Sequence, residues 1–354
     1  MSGVHQVLAG AAPRDAITNH AIAARDVIRG MGLRSEIFVE ARHCDPSLRG
    51  VAHSHEDWGR LASSDDLAVL HYSIDSPAFS DVARRARGVA IQYHNITPPD
   101  LLWRYAPALA RQCRDGRQRL GEIIGDALAL AADSSFNADE LRALGADDVS
   151  VVGILRHPGG GRQMDGDTRD RGQGRLRLLF VGRGVSNKAQ DDLVLALASL
   201  NQIGVDAELR LVGSWGGNRA FEARCRWLAD RCGVRDRVAF LGSIDDGALA
   251  NEYRRADVFV CASRHEGYCV PILEAMEAGL PIVARAAGAV PETAGRAALL
   301  LDDPTPSELA EAIDILRGEP LQTGMQEGRT EQLAHHSPRA TAARLASFIE
   351  GLAP

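Results

Sequence analysis

A chain of 354 residues is too long for one ordinary hydrophobic core and comfortable for two. Its 45% hydrophobic and 25% charged residues are those of a soluble globular protein. A net charge of −7 gives no support to nucleic acid as the main partner, and no window of about eighteen residues is apolar enough to span a bilayer.

The opening, MSGVHQVLAG, has neither a basic segment nor a long apolar run, so no signal peptide and a cytoplasmic location are expected. Short apolar runs then alternate with longer periodic stretches. HQVLAG, SEIFVE, LAVLHY, GVAIQYH and VSVVGI read as strands in the first half, with ITNHAIAARDVIRGMG and the segment from Pro99 to about Ala131 as amphipathic stretches between them. In the second half RLLFVG, AELRLVG, RVAFLG, DVFVCAS, LPIVAR and RAALLLD read as strands, with NKAQDDLVLALASLNQIG and DDGALANEYRRA as helices. Such alternation predicts an α/β fold of parallel sheets wrapped by helices on both faces. Residues 158–175, rich in glycine and charge, predict a flexible linker. That divides the chain into a first domain over 1–157, a second over 176–335, and a closing helix over 336–354 expected to pack back on the first. Asp165 and Asp167 look like a metal-binding pair, but their setting favours loop solvation. The cysteines, Cys44, Cys113, Cys225, Cys232, Cys261 and Cys269, form no CxxC and no zinc-like spacing, so they read as reduced thiols and no metal is expected.

The stretch SRHEGYCVPILEAMEAGLPIVA carries the chemistry. Pro271 suits the first position of a short helix that Gly279 and Pro281 end. Its expected cap positions, Cys269 and Val270, accept backbone N–H groups poorly, which leaves the helix start open to an anion. Glu274, one turn in, would repel a phosphate there, but makes sense if it accepts hydrogen bonds from two ribose hydroxyls. The alternative is an ordinary dipole-stabilising Glu. A second stretch, LRLLFVGRGVSNKAQDDLVLAL, ends a buried strand at Gly182 and supplies Arg183 and Lys188, two charges suited to a diphosphate.

Together with LGSIDDGALANEYRRADVFVCAS, these two stretches resemble glycosyltransferase family four over roughly residues 177–300. Those are retaining enzymes of the GT-B fold, two Rossmann-like domains facing a central cleft. The resemblance implies that Arg183 and Lys188 hold the donor diphosphate and Glu274 the ribose. It also implies that Glu266, Gly267, Tyr268, Cys269 and Val270 face the transferred sugar and its phosphate, and that Ile244 lies near the base. The family usually has glycine where this chain has Cys269.

In the first half the resemblance assigns His94, at the end of VAIQYHNITPPD, to the donor sugar; Asn95 follows it. His71, with Ser73 and Asp75, ends another strand, where open α/β sheets bind ligands. Gly10 and Asp15, in the loop after the first strand, are offered for the phosphate or acceptor. LLWRYAPALARQCRDGRQRLG, residues 101–121, carries five arginines and reads either as a solvated basic helix or as a peripheral contact with an acidic membrane surface.

These readings imply metal-independent, retaining transfer of a hexosyl unit from a GDP- or UDP-sugar to an acceptor hydroxyl on a glycan or lipid-linked glycan. The nucleotide sugar serves as substrate and no cofactor is required. Two alternatives stand beside it: an epimerase or other enzyme on the same fold, and a non-catalytic subunit that binds nucleotide sugar.

Overall fold

The computed structural model describes residues 3–156, 174–316 and 319–352. They form two compact units. The first holds the described residues up to Ile96, those from Arg111 to 156, and those from His336 onward; the second holds Thr97–Ala110 and the others up to His335.

The first unit is built on strands β1 (Val4–Leu8), β2 (Ile37–Val39), β3 (His53–Ser54), β4 (Leu67–Tyr72), β5 (Gly88–Tyr93), β6 (Ala129–Ala132) and β7 (Ser150–Val151). They lie parallel in the order β3-β2-β1-β4-β5-β6-β7. Helices α1 (Ala16–Gly30), α2 (Trp58–Leu61), α3 (Pro77–Ala83), α4 (Pro107–Ile123) and α5 (Ser135–Ala143) follow in the connections. Every residue of β1 and β4 is buried, as in a parallel sheet covered on both faces.

The second unit contains β8 (Leu176–Val181), α6 (Gln190–Gln202), β9 (Ala207–Val212), α7 (Arg219–Arg231), β10 (Val238–Gly242), α8 (Asp246–Arg255), β11 (Val258–Cys261), α9 (Val270–Glu277), β12 (Ile282–Arg285), α10 (Val290–Ala294), β13 (Leu299–Leu301), α11 (Pro306–Ile315) and α12 (Glu319–His335). Its strands are parallel in the order β10-β9-β8-β11-β12-β13. Leu193, Leu197 and Leu200 of α6 join Leu209 and Leu211 of β9 and Ile313 of α11 in one core. In each sheet the chain order reverses once, beside β1 and β4 in the first and beside β8 and β11 in the second. Both sheets have the doubly wound Rossmann arrangement.

All the strand runs read from the sequence appear; β3 and β6 were not among them. The tract ALAA of β6 is made of strong helix formers and follows a long helical stretch, yet β5 and β7 pair with it on both sides. The domain boundary also needs correction, because Thr97–Ala110 does not stay with residues 1–157. Pro98 and Pro99 break the chain after β5; Ser186 then donates its hydroxyl to Leu101 O at 2.5 Å, and the Tyr105 ring lies 5.2 Å from that of Phe221. The expected linker lies outside the described residues except Gly174 and Arg175, and Asp165 and Asp167 lie outside them entirely.

Along α4, Arg117 pairs with Glu140 and Arg119 with Glu122, each at 2.8 Å. These pairings offset part of the basic character of residues 101–121. No described helix is long and apolar enough to cross a membrane.

The last helix, α13 (Pro338–Leu352), belongs to the first unit. Leu345, Phe348, Ile349 and Leu352 pack in one cluster with Val4, Ile28 and Leu67, and Arg344 donates to Val152 O at 3.0 Å. Phe348→Ala is therefore expected to destabilise the first unit by about 3–5 kcal/mol, the cost of emptying an aromatic core site. Urea titration followed by hydrogen exchange checks this. Loss of protection in β1 and β4 is the expected result, and loss confined to α8 and α9 would contradict it.

Candidate active site

The loops that matter follow the two neighbouring strands at the reversal of the second sheet, β8 and β11. Connections leave such strands toward opposite faces, so a crevice opens at their carboxyl ends. After β8 the chain turns at Gly182, whose N–H donates to Val212 O at 2.9 Å. The loop after β9 comes so close that a Cβ on Gly213, at φ +138°, would lie 2.0 Å from Gly182 O. Arg183 is exposed, and its guanidinium has no ion-pair partner among the described residues. Its carbonyl accepts from Gln190 Nε2 at 2.8 Å. A single 3₁₀ turn, Ser186–Lys188, follows, and left-handed Ala189 then starts α6.

Lys188 Nζ lies 2.6 Å from Glu266 Oε2, in the loop after β11. Burial works against the ammonium charge, but Glu266 and the thiols of Cys269 and Cys261 outweigh it, so the Lys188 pKa is raised. The sequence reading gave Arg183 and Lys188 jointly to a diphosphate. In the structure the Lys188 charge is shared with Glu266, which leaves Arg183 as the uncompensated cation of the two.

Other contacts hold these two loops in place. Asn187 O accepts from Arg264 N at 2.8 Å. Asp192, in the first turn of α6, accepts from Arg264 at 2.9 and 3.0 Å and from buried Arg285 at 3.0 Å. Arg285 also donates to Ala262 O at 3.1 Å. Glu266 O accepts from Ala289 N at 2.9 Å, and a Cβ on Gly288 (φ +59°) would lie 2.2 Å from that same oxygen. Thr293 donates its hydroxyl to Tyr268 O.

Helix α9 then begins at Val270, with Pro271 second rather than first. No side chain caps it, and Cys269 before it is left-handed at φ +67°. Ile272, Leu273, Ala275 and Met276 are buried and fix the helix against the sheet. Glu274 stays half-buried and accepts from Tyr253 Oη at 2.7 Å. Tyr253, 2% exposed on α8, was not singled out in the sequence reading. The signal available was a lone tyrosine on an otherwise charged helix, since buried tyrosines usually find a partner for the hydroxyl. Ile244 is half-buried in the loop before α8, and Gly267 and Val270 are half-buried beside buried Tyr268 and Cys269. The site of the second unit thus gathers Gly182, Arg183, Lys188, Glu266 and the residues after it into two adjoining loops, with Glu274 one turn into the helix that follows.

The first-unit candidates take different places. Asp15 is the N-cap of α1, accepting from both the N–H and the hydroxyl of Thr18 at 2.9 Å, so its carboxylate is committed to the helix. His71 Nδ1 meets His94 Nε2 at 2.7 Å; His71 Nε2 meets Gln6 at 2.6 Å, and His94 Nδ1 meets Asp133 at 2.8 Å. The His94 side chain is 0% exposed, so neither histidine turns a ring nitrogen to solvent. Asn95, buried at φ +70°, donates to Asn137 and Glu140. Gly10 is exposed, as is Asp75 beyond the strand that carries His71. These polar strand ends look inward because strands covered on both faces turn their side chains into the interior.

Residues 168–329 match the family described as "Glycosyl transferases group 1", a range that contains every second-unit candidate. The chain resembles GT-B glycosyltransferases, and its fold is GT-B. It is similar to a D-inositol 3-phosphate glycosyltransferase of Streptomyces bingchenggensis, 32% identical over 62% of this chain and 50% of that protein. It is also similar to a GDP-mannose-dependent alpha-(1-6)-phosphatidylinositol monomannoside mannosyltransferase of Mycobacterium tuberculosis, 33% identical over 50% of this chain and 48% of that one. The chain spans about half the length of the curated relatives it matches. Among solved structures, Anabaena Alr3699/HepE in complex with UDP and glucose shares the fold with a TM-score of 0.69, at 19% identity over 99% of this chain and 100% of that one.

The buried histidines of the first unit make its stability depend on pH. His20 donates or accepts only within the protein, to Gln92 Oε1 at 2.9 Å and from Leu155 N at 2.8 Å. Burial, helped by His94, pushes its pKa down to about 3 against an ordinary 6.5. His71 is held low by burial and by the two other histidines, while burial raises Asp133 despite His94. Below pH 6.5 the unfolded chain therefore binds protons at His20 and His71 that the folded chain refuses. Stability should fall with pH by roughly 1.4 kcal/mol per unit for each such histidine. The raised Asp133 opposes this only in the carboxylate range. Urea titrations at pH 7 and pH 5 are expected to show a shallower loss in His20→Gln than in the native chain; equal losses would mean that His20 is not held neutral.

Proposed function

We propose that this chain is a retaining, family-four glycosyltransferase that moves a hexosyl unit from a GDP- or UDP-sugar to an acceptor hydroxyl on a glycan or lipid-linked glycan. The observation that carries the reading is the Lys188–Glu266 pair at the reversal of the second sheet, with an uncapped helix start and a carboxylate one turn in beside it. A mannosyltransferase relative that is GDP-mannose-dependent, and a fold neighbour in complex with UDP and glucose, support the two donor classes.

In this reading Arg183 meets the diphosphate with a charge that no carboxylate among the described residues offsets. Lys188 adds charge that redistributes from Glu266 as the phosphate arrives. Backbone dipoles at the start of α9 act at the same end. Glu274 accepts the ribose hydroxyls, and the Tyr253 hydroxyl aims it. The leaving diphosphate takes the electron pair of the bond between the anomeric carbon and the phosphate oxygen. The acceptor oxygen forms the new bond on the same face, and its proton passes to the departing phosphate oxygen. This front-face route suits a site where the nearest acid, Glu266, is held by Lys188 rather than free as a nucleophile. Charge on the leaving group is met by side chains and helix, so no metal ion is required.

A thermal-shift screen against UDP-, GDP- and ADP-sugars tests the donor, because a ligand that binds the native state raises its stability by mass action. The matching donor should then hydrolyse slowly, releasing nucleoside diphosphate and initially the sugar anomer of the donor, with no loss in EDTA. Arg183→Ala should weaken diphosphate binding by about 1.5 kcal/mol, the lower end for a charge-assisted hydrogen bond because Arg183 is exposed. Binding of the free nucleoside should stay unchanged. Equal losses for nucleoside and diphosphate, or turnover that EDTA abolishes and Mg²⁺ restores, would overturn the reading.

A further inference from the structure

The sulfurs of Cys261 and Cys269 lie 4.0 Å apart, the two cysteines being 1% and 7% exposed. Cys261 ends β11 and is in register with Ala284 of β12, while β8 pairs with β11 only as far as Phe259, so the sheet holds Cys261 from the β12 side. Cys269 sits in the left-handed region, at φ +67° and ψ +61°, where a residue with a Cβ is strained. The seven residues between them form the loop that carries Glu266.

We propose that Cys261 and Cys269 are a reversible disulfide site whose closure switches off nucleotide binding at α9. A disulfide requires the sulfurs to come to about 2.05 Å, so the pair must close by roughly 2 Å. Cys261 is the less free of the two, because its backbone is paired with Ala284 of β12. The loop is itself pinned by Ala289 N on Glu266 O and by the Thr293 hydroxyl on Tyr268 O. The displacement therefore falls on Cys269 and the first residues of α9, whose backbone N–H groups the proposed function gives to the diphosphate. The oxidant class is a small aliphatic disulfide. Cys269, the more exposed of the two residues, attacks one of its sulfurs, forming a mixed disulfide and releasing one thiol. Cys261 then attacks the Cys269 sulfur and releases the second thiol. Two cysteine thiols are oxidised and one small disulfide is reduced to two thiols.

The nucleotide arm of this inference rests on the proposed function; the disulfide arm does not. The full chain is incubated with 2-hydroxyethyl disulfide, free thiols are blocked with iodoacetamide, and trypsin cuts after Arg264, between the two cysteines. A linked pair of peptides, 256–264 with 265–285, is expected from the native chain and is broken by dithiothreitol. It should be missing from Cys261→Ala and from Cys261→Ser, a second variant in case one folds poorly. UDP and GDP affinity, measured by calorimetry, should fall about tenfold on oxidation of the native chain, the scale of one lost charge-assisted hydrogen bond, and return with dithiothreitol. In both Cys261 variants the reaction goes no further than a mixed disulfide on Cys269, so the comparison uses protein whose 265–285 peptide carries no small thiol, and its affinity should be unchanged. Recovery of both cysteines alkylated, or each capped by the small thiol, overturns the disulfide. A linked peptide with undiminished UDP and GDP affinity overturns the switch. If the reduced chain binds neither nucleotide, the proposed function and the switch fall together, and the peptides still decide the disulfide.

Discussion

The site depends first on one ion pair, Lys188 with Glu266 at 2.6 Å. It joins the two loops that leave the second sheet on either side of its reversal, and little water reaches either charge. Burial works against the Lys188 ammonium, and Glu266 keeps it charged, as the raised Lys188 pKa records. A buried pair of this kind adds little net stability, but losing one partner strands a charge. Its value is therefore positional. The Asp192 carboxylate repeats the device one layer back, fastening Arg264 from the loop after β11 and Arg285 from the end of β12 to the start of α6. In the proposed function, charges already set in place leave little to reorganise beyond the sharing of Lys188 between Glu266 and the phosphate.

Glycine and left-handed residues do the complementary work of bringing backbone close. Gly213 lets the loop after β9 touch Gly182, and Gly288 lets the loop before α10 touch Glu266. Cys269 bends the chain into α9 without offering a cap, so the positive end of that helix is left to whatever anion the charged loops collect. Glu274 stands at the same end because Tyr253 holds it, through a hydrogen bond from a helix that precedes β11.

Much of this was legible in the residues. Alternating apolar runs identified the parallel sheets, and the spacing of Arg183, Lys188, Glu266 and Glu274 picked out the loops that the fold brings together. What escaped had physical reasons. The ALAA of β6 is short and built from helix formers, so only pairing on both sides makes it a strand. Thr97–Ala110 changes unit through the packing of Tyr105 and a hydroxyl bond from Ser186, neither of which periodicity reports. Tyr253, Asp192 and Arg285 act through partners more than fifteen residues away in sequence or across strands, where one-dimensional spacing is silent. His71, His94 and Asn95 were placed at strand ends correctly, but a strand end does not say whether a side chain faces water. In the first unit Gln6 meets His71, Asp133 meets His94, and Asn137 and Glu140 accept from Asn95, so the polar atoms that the sequence suggested were waiting for a ligand have partners within the protein.

The central claim is that the carboxylate of Glu274 reads the ribose of a nucleoside diphosphate held by the loops after β8 and β11. A double-mutant cycle between protein and ligand tests it most directly: Glu274→Gln against removal of the ribose hydroxyls in a 2′,3′-dideoxy nucleoside diphosphate, with each affinity measured by calorimetry. The account predicts that either change alone costs about 1–3 kcal/mol and that the second adds little once the first is made. A coupling energy near zero, with the two losses simply adding, would show that Glu274 does not contact the ribose and would contradict the account.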